Sequence, residues 1–195
     1  MSRARCERCA RPLSHCLCHL IPQLPSRTRV LILQHPDEVG HALNTARLAA
    51  LGLENAELRV GEVFADLHFD PAYRACLLFP GEMAQPLPLV TPDADERPLL
   101  LVVPDGTWRK ARKLLHLNPA LAALPRVCLP PGLNSRYRLR KAPAAGALAT
   151  IEAIAAALEL QEGRCFAELL RPFEALIEGQ IAAMGAEIYQ RNHGG

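Results

Sequence analysis

The 195-residue sequence has no G-x-G-x-x-G after its first apolar run and no G-x4-G-K-[ST] anywhere. Neither a dinucleotide fingerprint nor a P-loop is therefore supported, because no glycine-rich pyrophosphate cradle is encoded. G-x-S-x-G and H-E-x-x-H are missing as well, which removes the hydrolase elbow and the helical zinc-protease pair. Aromatic residues are scarce at 5%, with a single tryptophan, Trp108. No apolar run approaches the roughly 18 residues of a membrane span, so no membrane partner is expected. The start, MSRARCERCARPL, has no apolar h-region. No secretory signal is expected, and the expected location is cytoplasmic.

Acid is scarcest in one segment. From Asp105 to Lys141 there are nine basic residues and one acid, Asp105 itself, although the whole chain carries only +2. Acids gather instead in 37–66, in 93–96 and in the C-terminal third. A local positive field suits a polyanion such as nucleic acid. The competing reading is a solvated helix face followed by a basic loop.

Half of the residues are apolar and 22% are charged, as in an ordinary globular protein. The length suits one domain with a small appendage. Strand-like runs occur at 29–35, 57–64, 74–80, 98–104 and 126–130. Helix-like stretches alternate with them at 40–51, 107–117, 148–160 and 172–190. The second of these puts Trp108, Ala111, Leu114 and Leu115 on one side and its bases on the other. The last begins at Pro172 and repeats Phe173, Leu176, Ile177, Ile181, Met184 and Ile188 at helical spacing. The alternation predicts an α/β domain with a mainly parallel sheet and helices on both faces. Stretches 80–98 and 129–146 read as loops. Ligands of such sheets bind beyond the carboxyl ends of the strands. That rule puts 80–82, 104–108 and 129–132 on one rim.

Four of the seven cysteines, Cys6, Cys9, Cys16 and Cys18, fall within 13 residues as C-x2-C-x6-C-x-C. Such density suits a structural tetrahedral zinc with every ligand position filled. His15 and His19 are possible substitute ligands, and a redox pair is the competing reading. The boundaries expected are a zinc module over 1–25 and an α/β domain over 26–195. Cys76, Cys128 and Cys165 sit among apolar residues and read as core. LQHPDEVGH offers His35, His41 and acids but no helical i,i+4 histidine pair, so a metal there is not expected.

Asp105 follows a buried run and precedes a helix. It, or Thr107, caps that helix; alternatively, Asp105 projects into the rim crevice as a base or as a partner for a cationic ligand. Trp108 is expected in the core. Gly106 lets the backbone pass close to a ligand. The segment NSRYRLRKAP (134–143) offers a hydroxyl, a tyrosine and four cations within eight residues. Its arginines suit phosphate or carboxylate, and Tyr137 suits base stacking. The same alternation also fits a solvent-facing strand edge.

Taken in order, these residues resemble the DTW-domain family. The D-x-T-W core is Asp105, Thr107 and Trp108. It is flanked by the N-terminal cysteines, by Gln34-His35-Pro36 with Glu38, and by Asn44-Thr45 with Arg47-Leu48. LLFPGE (77–82), S-x-Y-x-L-R-x-x-P (135–143) and TIEA (150–153) complete the series, over about residues 6–160. Phe79 stands where the family usually has tyrosine. The resemblance implies a tRNA-uridine aminocarboxypropyltransferase using S-adenosylmethionine, with a SPOUT-like fold and a C-terminal trefoil knot. It implies tRNA as partner, most simply at a variable-loop uridine. Asp105 becomes the candidate catalytic residue, as base or as anchor of the ligand's ammonium. The implied cofactor contacts are Phe79, Pro80, Gly81, Pro104, Gly106, Thr107, Leu129, Ser135, Tyr137, Arg140 and Thr150. The implied RNA contacts are Arg109, Lys110, Arg112, Lys113, Arg136, Arg138 and Lys141. Two other readings stand beside it, a methyltransferase of the same class and a zinc-containing RNA-binding protein without catalysis.

Overall fold

The computed structural model describes residues 4–88, 95–137, 148–185 and 188–189. Among these residues six strands form one sheet: β1 (Arg29–Gln34), β2 (Ala56–Val60), β3 (Arg74–Leu78), β4 (Gln85–Pro86), β5 (Leu99–Asp105) and β6 (Arg126–Cys128). Their order is β2-β1-β5-β3-β6-β4, and every pairing is parallel. The described residues also hold five α-helices: α1 (Ala46–Gly52), α2 (Trp108–Leu117), α3 (Pro119–Ala122), α4 (Thr150–Glu162) and α5 (Arg171–Met184).

The two-residue side-chain period of a strand divides the apolar runs between two cores. Val30, Ile32, Leu99, Leu101 and Val103 face one core, which α1, α4 and α5 close with Leu48, Ile154, Leu158, Phe173 and Ile177. Leu31, Leu33, Leu77, Leu100 and Val102 face the other, where α2 and α3 bring Ala111, Leu114, Leu115 and Leu121. The continuous apolar character of β1 and β5 follows from this double coverage.

Several observed elements are shorter than the sequence runs, for local reasons. The expected helix over 40–51 starts only at Ala46, because the Asn44 side chain accepts the Arg47 N–H and stops the turn there. The expected strand over 57–64 ends at Val60, before Gly61; beyond it, the Phe64 N–H turns to the side chain of Asn118. The last helix ends at Met184, where Gly185 takes φ +86°, so Ile188 lies beyond it. The loop expected at 80–98 contains the short edge strand β4, whose two residues carry no apolar run to announce it.

The N-terminal residues pack onto the face covered by α1 and α5. Cys9 and Ile21 are buried in the same core as Val30 and Phe173. The Arg47 guanidinium of α1 donates to the carbonyls of Arg8 and Glu7, 3.0 and 3.4 Å away. No helix among the described residues is long and apolar enough to cross a membrane.

Candidate active site

Gln34 and Asp105 end neighbouring strands and are register partners. They continue the rows of Val30 and Ile32 and of Leu101 and Val103. Both side chains therefore emerge on the face that α4 covers. There the Gln34 Nε2 donates to Asp105 Oδ2 at 2.7 Å, and the first residue of α4, Thr150, donates its hydroxyl to Asp105 Oδ1 at 2.5 Å. Gln34 Nε2 also donates to Asn44 Oδ1 at 3.2 Å. Asp105 is 8% exposed. Burial pushes its pKa upward, while the bonds from Thr150 and Gln34 oppose that rise and nearby Glu38 adds to it.

A cavity of about 550 Å³ opens at the carboxyl ends of β3, β5 and β6. Phe79–Pro80, Pro104 with Gly106, and Leu129–Asn134 wall it, and Thr150 and Ala153 of α4 close it. The three loops placed on one rim by the strand pattern thus meet around one space, within the roughly 300–1,000 Å³ usual for small-molecule sites. Gly106 adopts φ +153°, and a Cβ there would approach Lys110 Cβ to 3.0 Å. Glycine is required by that turn into α2 as well as by the space beside the cavity.

Several expectations change. Asp105 itself does not line the cavity; it lies behind Thr150, which does. Capping of α2 falls to Thr107, whose hydroxyl accepts the Lys110 N–H, so Thr107 serves the helix. Trp108 is not a core residue. It is 41% exposed, because it opens α2 at the rim, beyond the sheet that would cover it. Its ring meets Phe79 edge-on at 5.6 Å, on the cavity wall. Arg126 approaches the Phe79 ring at 5.8 Å. Gly81 lies against the Arg126 side chain and is not among the wall residues.

Ser135 and Tyr137 also stand outside the wall. Glu152, 6% exposed, accepts from Ser135 Oγ at 2.7 Å, from the Arg136 N–H at 2.6 Å and from the Ala149 N–H at 2.8 Å. One carboxylate thereby ties the 134–137 loop to the start of α4. The Tyr137 ring packs edge-on against Phe173 at 5.5 Å, on the core side. Arg138, Arg140 and Lys141 lie outside the described residues.

The basic segment is partly neutralised by the acidic one. Lys110 Nζ stands 2.8 Å from Glu38 and 3.4 Å from Asp37, and Lys113 Nζ 2.8 Å from Glu62. Arg136 pairs with Glu174 at 2.6 Å. Arg109 and Arg112 are exposed on the outer face of α2. His35 is buried at 4%. Its Nδ1 accepts the Asp37 N–H, so Nε2 carries the proton and donates to Glu62 at 2.8 Å.

The four N-terminal thiols lie within 4.8 Å of one another, and His15 and His19 are not in the group. Sulfurs about 2.3 Å from a tetrahedral Zn²⁺ stand about 3.8 Å apart. Cys6 and Cys18 are 3.6 Å apart, and Cys9 and Cys16 3.8 Å. The residues therefore fit zinc without rearrangement. A turn through Ala10 at φ +59° folds the first pair back. The backbone N–H groups of Cys9 and Arg8 hold the Cys6 thiol down to about 6. Of the remaining cysteines, Cys76 is core, at 2% exposure. Cys128 is half-buried in the cavity wall and Cys165 is exposed, which corrects their reading as core residues. Apolar neighbours in sequence did not cover Cys165, because it sits in the turn between α4 and α5.

Sequence reasoning assigned no role to Gln34, Asn44, Arg47 or Glu152. Their signal was available only as motif letters; the fold links Gln34, Asn44 and Arg47 to Asp105, and Glu152 separately to the 134–137 loop.

The DTW domain model matches residues 3–181. A fruit fly (Drosophila melanogaster) protein named tRNA-uridine aminocarboxypropyltransferase 2 is 35% identical over 92% of this chain and 76% of its own length. The macaque (Macaca fascicularis) and mouse (Mus musculus) proteins of that name are 31% and 32% identical over 95% of this chain. The chain spans 66% of the length of each of those two. No solved structure matches. With the Asp105-Gly106-Thr107-Trp108 turn at the lip of the cavity and the family model running through nearly the whole chain, the protein belongs to the DTW domain family.

Proposed function

We propose that the protein is a tRNA-uridine aminocarboxypropyltransferase. It would transfer the 3-amino-3-carboxypropyl group of S-adenosylmethionine to N3 of a tRNA uridine, in the variable loop, and release methylthioadenosine. The observation that carries this reading is the rim cavity with a buried carboxylate one side chain behind its wall, in a chain whose relatives bear that enzyme's name.

The chemistry asks little covalent work of the protein. The sulfonium already activates the carbon under attack, so alignment of base and alkyl arm supplies most of the rate. The walls at Phe79–Pro80, at Pro104 with Gly106 and at Leu129 suit the adenosine, being largely apolar. Asp105 is the group that takes up the uridine proton; its desolvation makes it a stronger base than an exposed aspartate. Arg109 and Arg112, free on the surface of α2, are the cations best placed for the tRNA backbone. Lys110, Lys113 and Arg136 reach RNA only by exchanging their present carboxylates. Zinc at Cys6, Cys9, Cys16 and Cys18 has a structural role, since four thiolates leave no open coordination site. The SPOUT relationship rests on the family resemblance and agrees with the parallel sheet. The C-terminal trefoil knot likewise rests on the family resemblance alone.

Incubation with S-adenosylmethionine and unmodified tRNA, followed by mass spectrometry of both products, tests the reading. Methylthioadenosine with a matching gain on a uridine is expected. S-adenosylhomocysteine would instead identify a methyltransferase. Salt-sensitive tRNA binding with no small-molecule product would identify a binding protein.

A further inference from the structure

A carboxylate that serves as base normally meets its substrate directly. Here Asp105 does not: the cavity wall at that point is Thr150, and Asp105 lies behind it. The direction of the hydrogen bonds around Asp105 is fixed from outside. The Arg47 N–H donates to Asn44 Oδ1, and Asn44 Nδ2 donates to the Glu38 carbonyl at 3.1 Å, so two backbone groups set the orientation of the Asn44 amide. Gln34 Nε2 then has two acceptors for its two hydrogens, Asn44 Oδ1 and Asp105 Oδ2. Asp105 Oδ2 can only accept. Of the two groups bonded to the carboxylate, only the Thr150 hydroxyl can also accept, so a proton gained on Oδ1 keeps a hydrogen-bond partner there. Thr150 is held in turn by its place at the first position of α4 and by its β-branch, which leaves few rotamers.

We propose that Thr150 is a catalytic residue that carries the uridine N3 proton from the cavity to Asp105. This rests on the transferase reading above. As N3 bonds to the alkyl carbon, the carbon–sulfur bond breaks and its electron pair returns to sulfur, leaving a neutral thioether. The N3 proton passes to Thr150 Oγ1 while the Thr150 hydroxyl proton passes to Asp105 Oδ1. The sulfonium charge and the carboxylate charge vanish together, so no net charge is created in a poorly solvated site. Asp105 later loses its proton to water by the reverse path through Thr150. Desolvation of Asp105 supports the direction of transfer, since it favours the neutral acid.

The test compares wild type, Thr150→Val and Thr150→Ser with S-adenosylmethionine and unmodified tRNA, reading methylthioadenosine release, and adds a proton inventory of the wild type in mixed H2O and D2O. General acid–base steps contribute about 10²–10⁴-fold. Thr150→Val, which keeps the shape, should lower kcat by about 10²-fold or more with KM for both substrates within about threefold. Thr150→Ser should recover most of the rate, and the wild-type inventory should curve, as two protons move together. A Val variant within about threefold of wild type, or a Ser variant no better than Val, would overturn the relay. So would a rise in KM at unchanged kcat, which is the signature of ligand binding alone. Should the Val variant not fold, the inventory decides, a straight line refuting the relay. Wild type that releases no methylthioadenosine would instead overturn the transferase reading, and the relay with it.

Discussion

Substitution of Glu152 by alanine should lower the melting temperature by several degrees while leaving the zinc site intact. Three donors converge on this carboxylate: Ser135 Oγ, the Arg136 N–H and the Ala149 N–H. Hydrogen bonds to a charged group contribute about 1.5–3 kcal/mol each, and a stranded buried donor costs about 1–3 kcal/mol. The Ala149 N–H is buried and recovers nothing from water, whereas the Ser135 hydroxyl and the Arg136 N–H are partly exposed and are rehydrated at reduced cost. A net loss of about 3 kcal/mol follows. At about 2–4 °C per kcal/mol for a chain of this size, the shift is about 6–12 °C. Glu152→Gln should lose less. Its amide oxygen can serve Ser135 and Ala149, but its nitrogen then opposes the Arg136 N–H, stranding one donor at about 1–3 kcal/mol. Calorimetry of the two variants, with metal analysis as a control, checks the ordering wild type, Gln, Ala. An alanine variant melting within about 2 °C of wild type would refute the claim that one carboxylate ties the 134–137 loop to α4.

Asp105→Asn mimics the protonated acid, since its oxygen can accept from Gln34 and its nitrogen can donate to Thr150 Oγ1. Burial raises the folded pKa of Asp105 above the unfolded value of about 3.9. Its stabilising contribution is therefore full below about pH 4 and lost as pH rises through the folded pKa. The melting temperature of the Asn variant minus that of wild type should be near zero in acid and positive at neutral pH; a pH-independent difference would contradict this. Transfer activity should be abolished in the same variant. Purified protein should hold one zinc per chain, and Cys9→Ser or prolonged chelation should remove it and lower the melting temperature, because Cys9 belongs to the main core. Elemental analysis and calorimetry read both. Alkylation of the zinc-loaded protein with iodoacetamide, followed by mass spectrometry, should modify exposed Cys165 before the four metal-held thiols. Cys76, buried at 2% with its thiol pushed up to about 12, should remain unmodified until unfolding. Trp108, the only tryptophan, should change its emission when S-adenosylmethionine or methylthioadenosine enters the cavity; unchanged emission at saturating ligand would place the ligand elsewhere.

The order of elements, their parallel pairing and the rim were legible because strand and helix periods are local properties of the chain. So was the cysteine group, whose spacing alone brings four sulfurs within reach of one metal. Residue types at the rim were legible too, but their roles were not. Asp105 and Thr107 were equal candidates for the helix cap, and backbone direction at Gly106 decided for Thr107. Trp108 carries the spacing of a core residue, yet the first turn of α2 stands beyond the edge of the sheet and leaves its ring on the cavity wall. The basic run reads as one positive face, but the fold brings Glu38 and Glu62, more than 50 residues upstream of their lysines, against Lys110 and Lys113. The sequence by itself determined which chemical groups exist, how they are spaced and which strands can be doubly covered. Only the tertiary structure decided which of those groups meet. The Gln34–Asp105 pairing needs the register of β1 on β5, and the Thr150 contact needs α4 to close over both, contacts across 71 and 45 residues. Hydrogen bonds over such separations are set by packing, which no local period records.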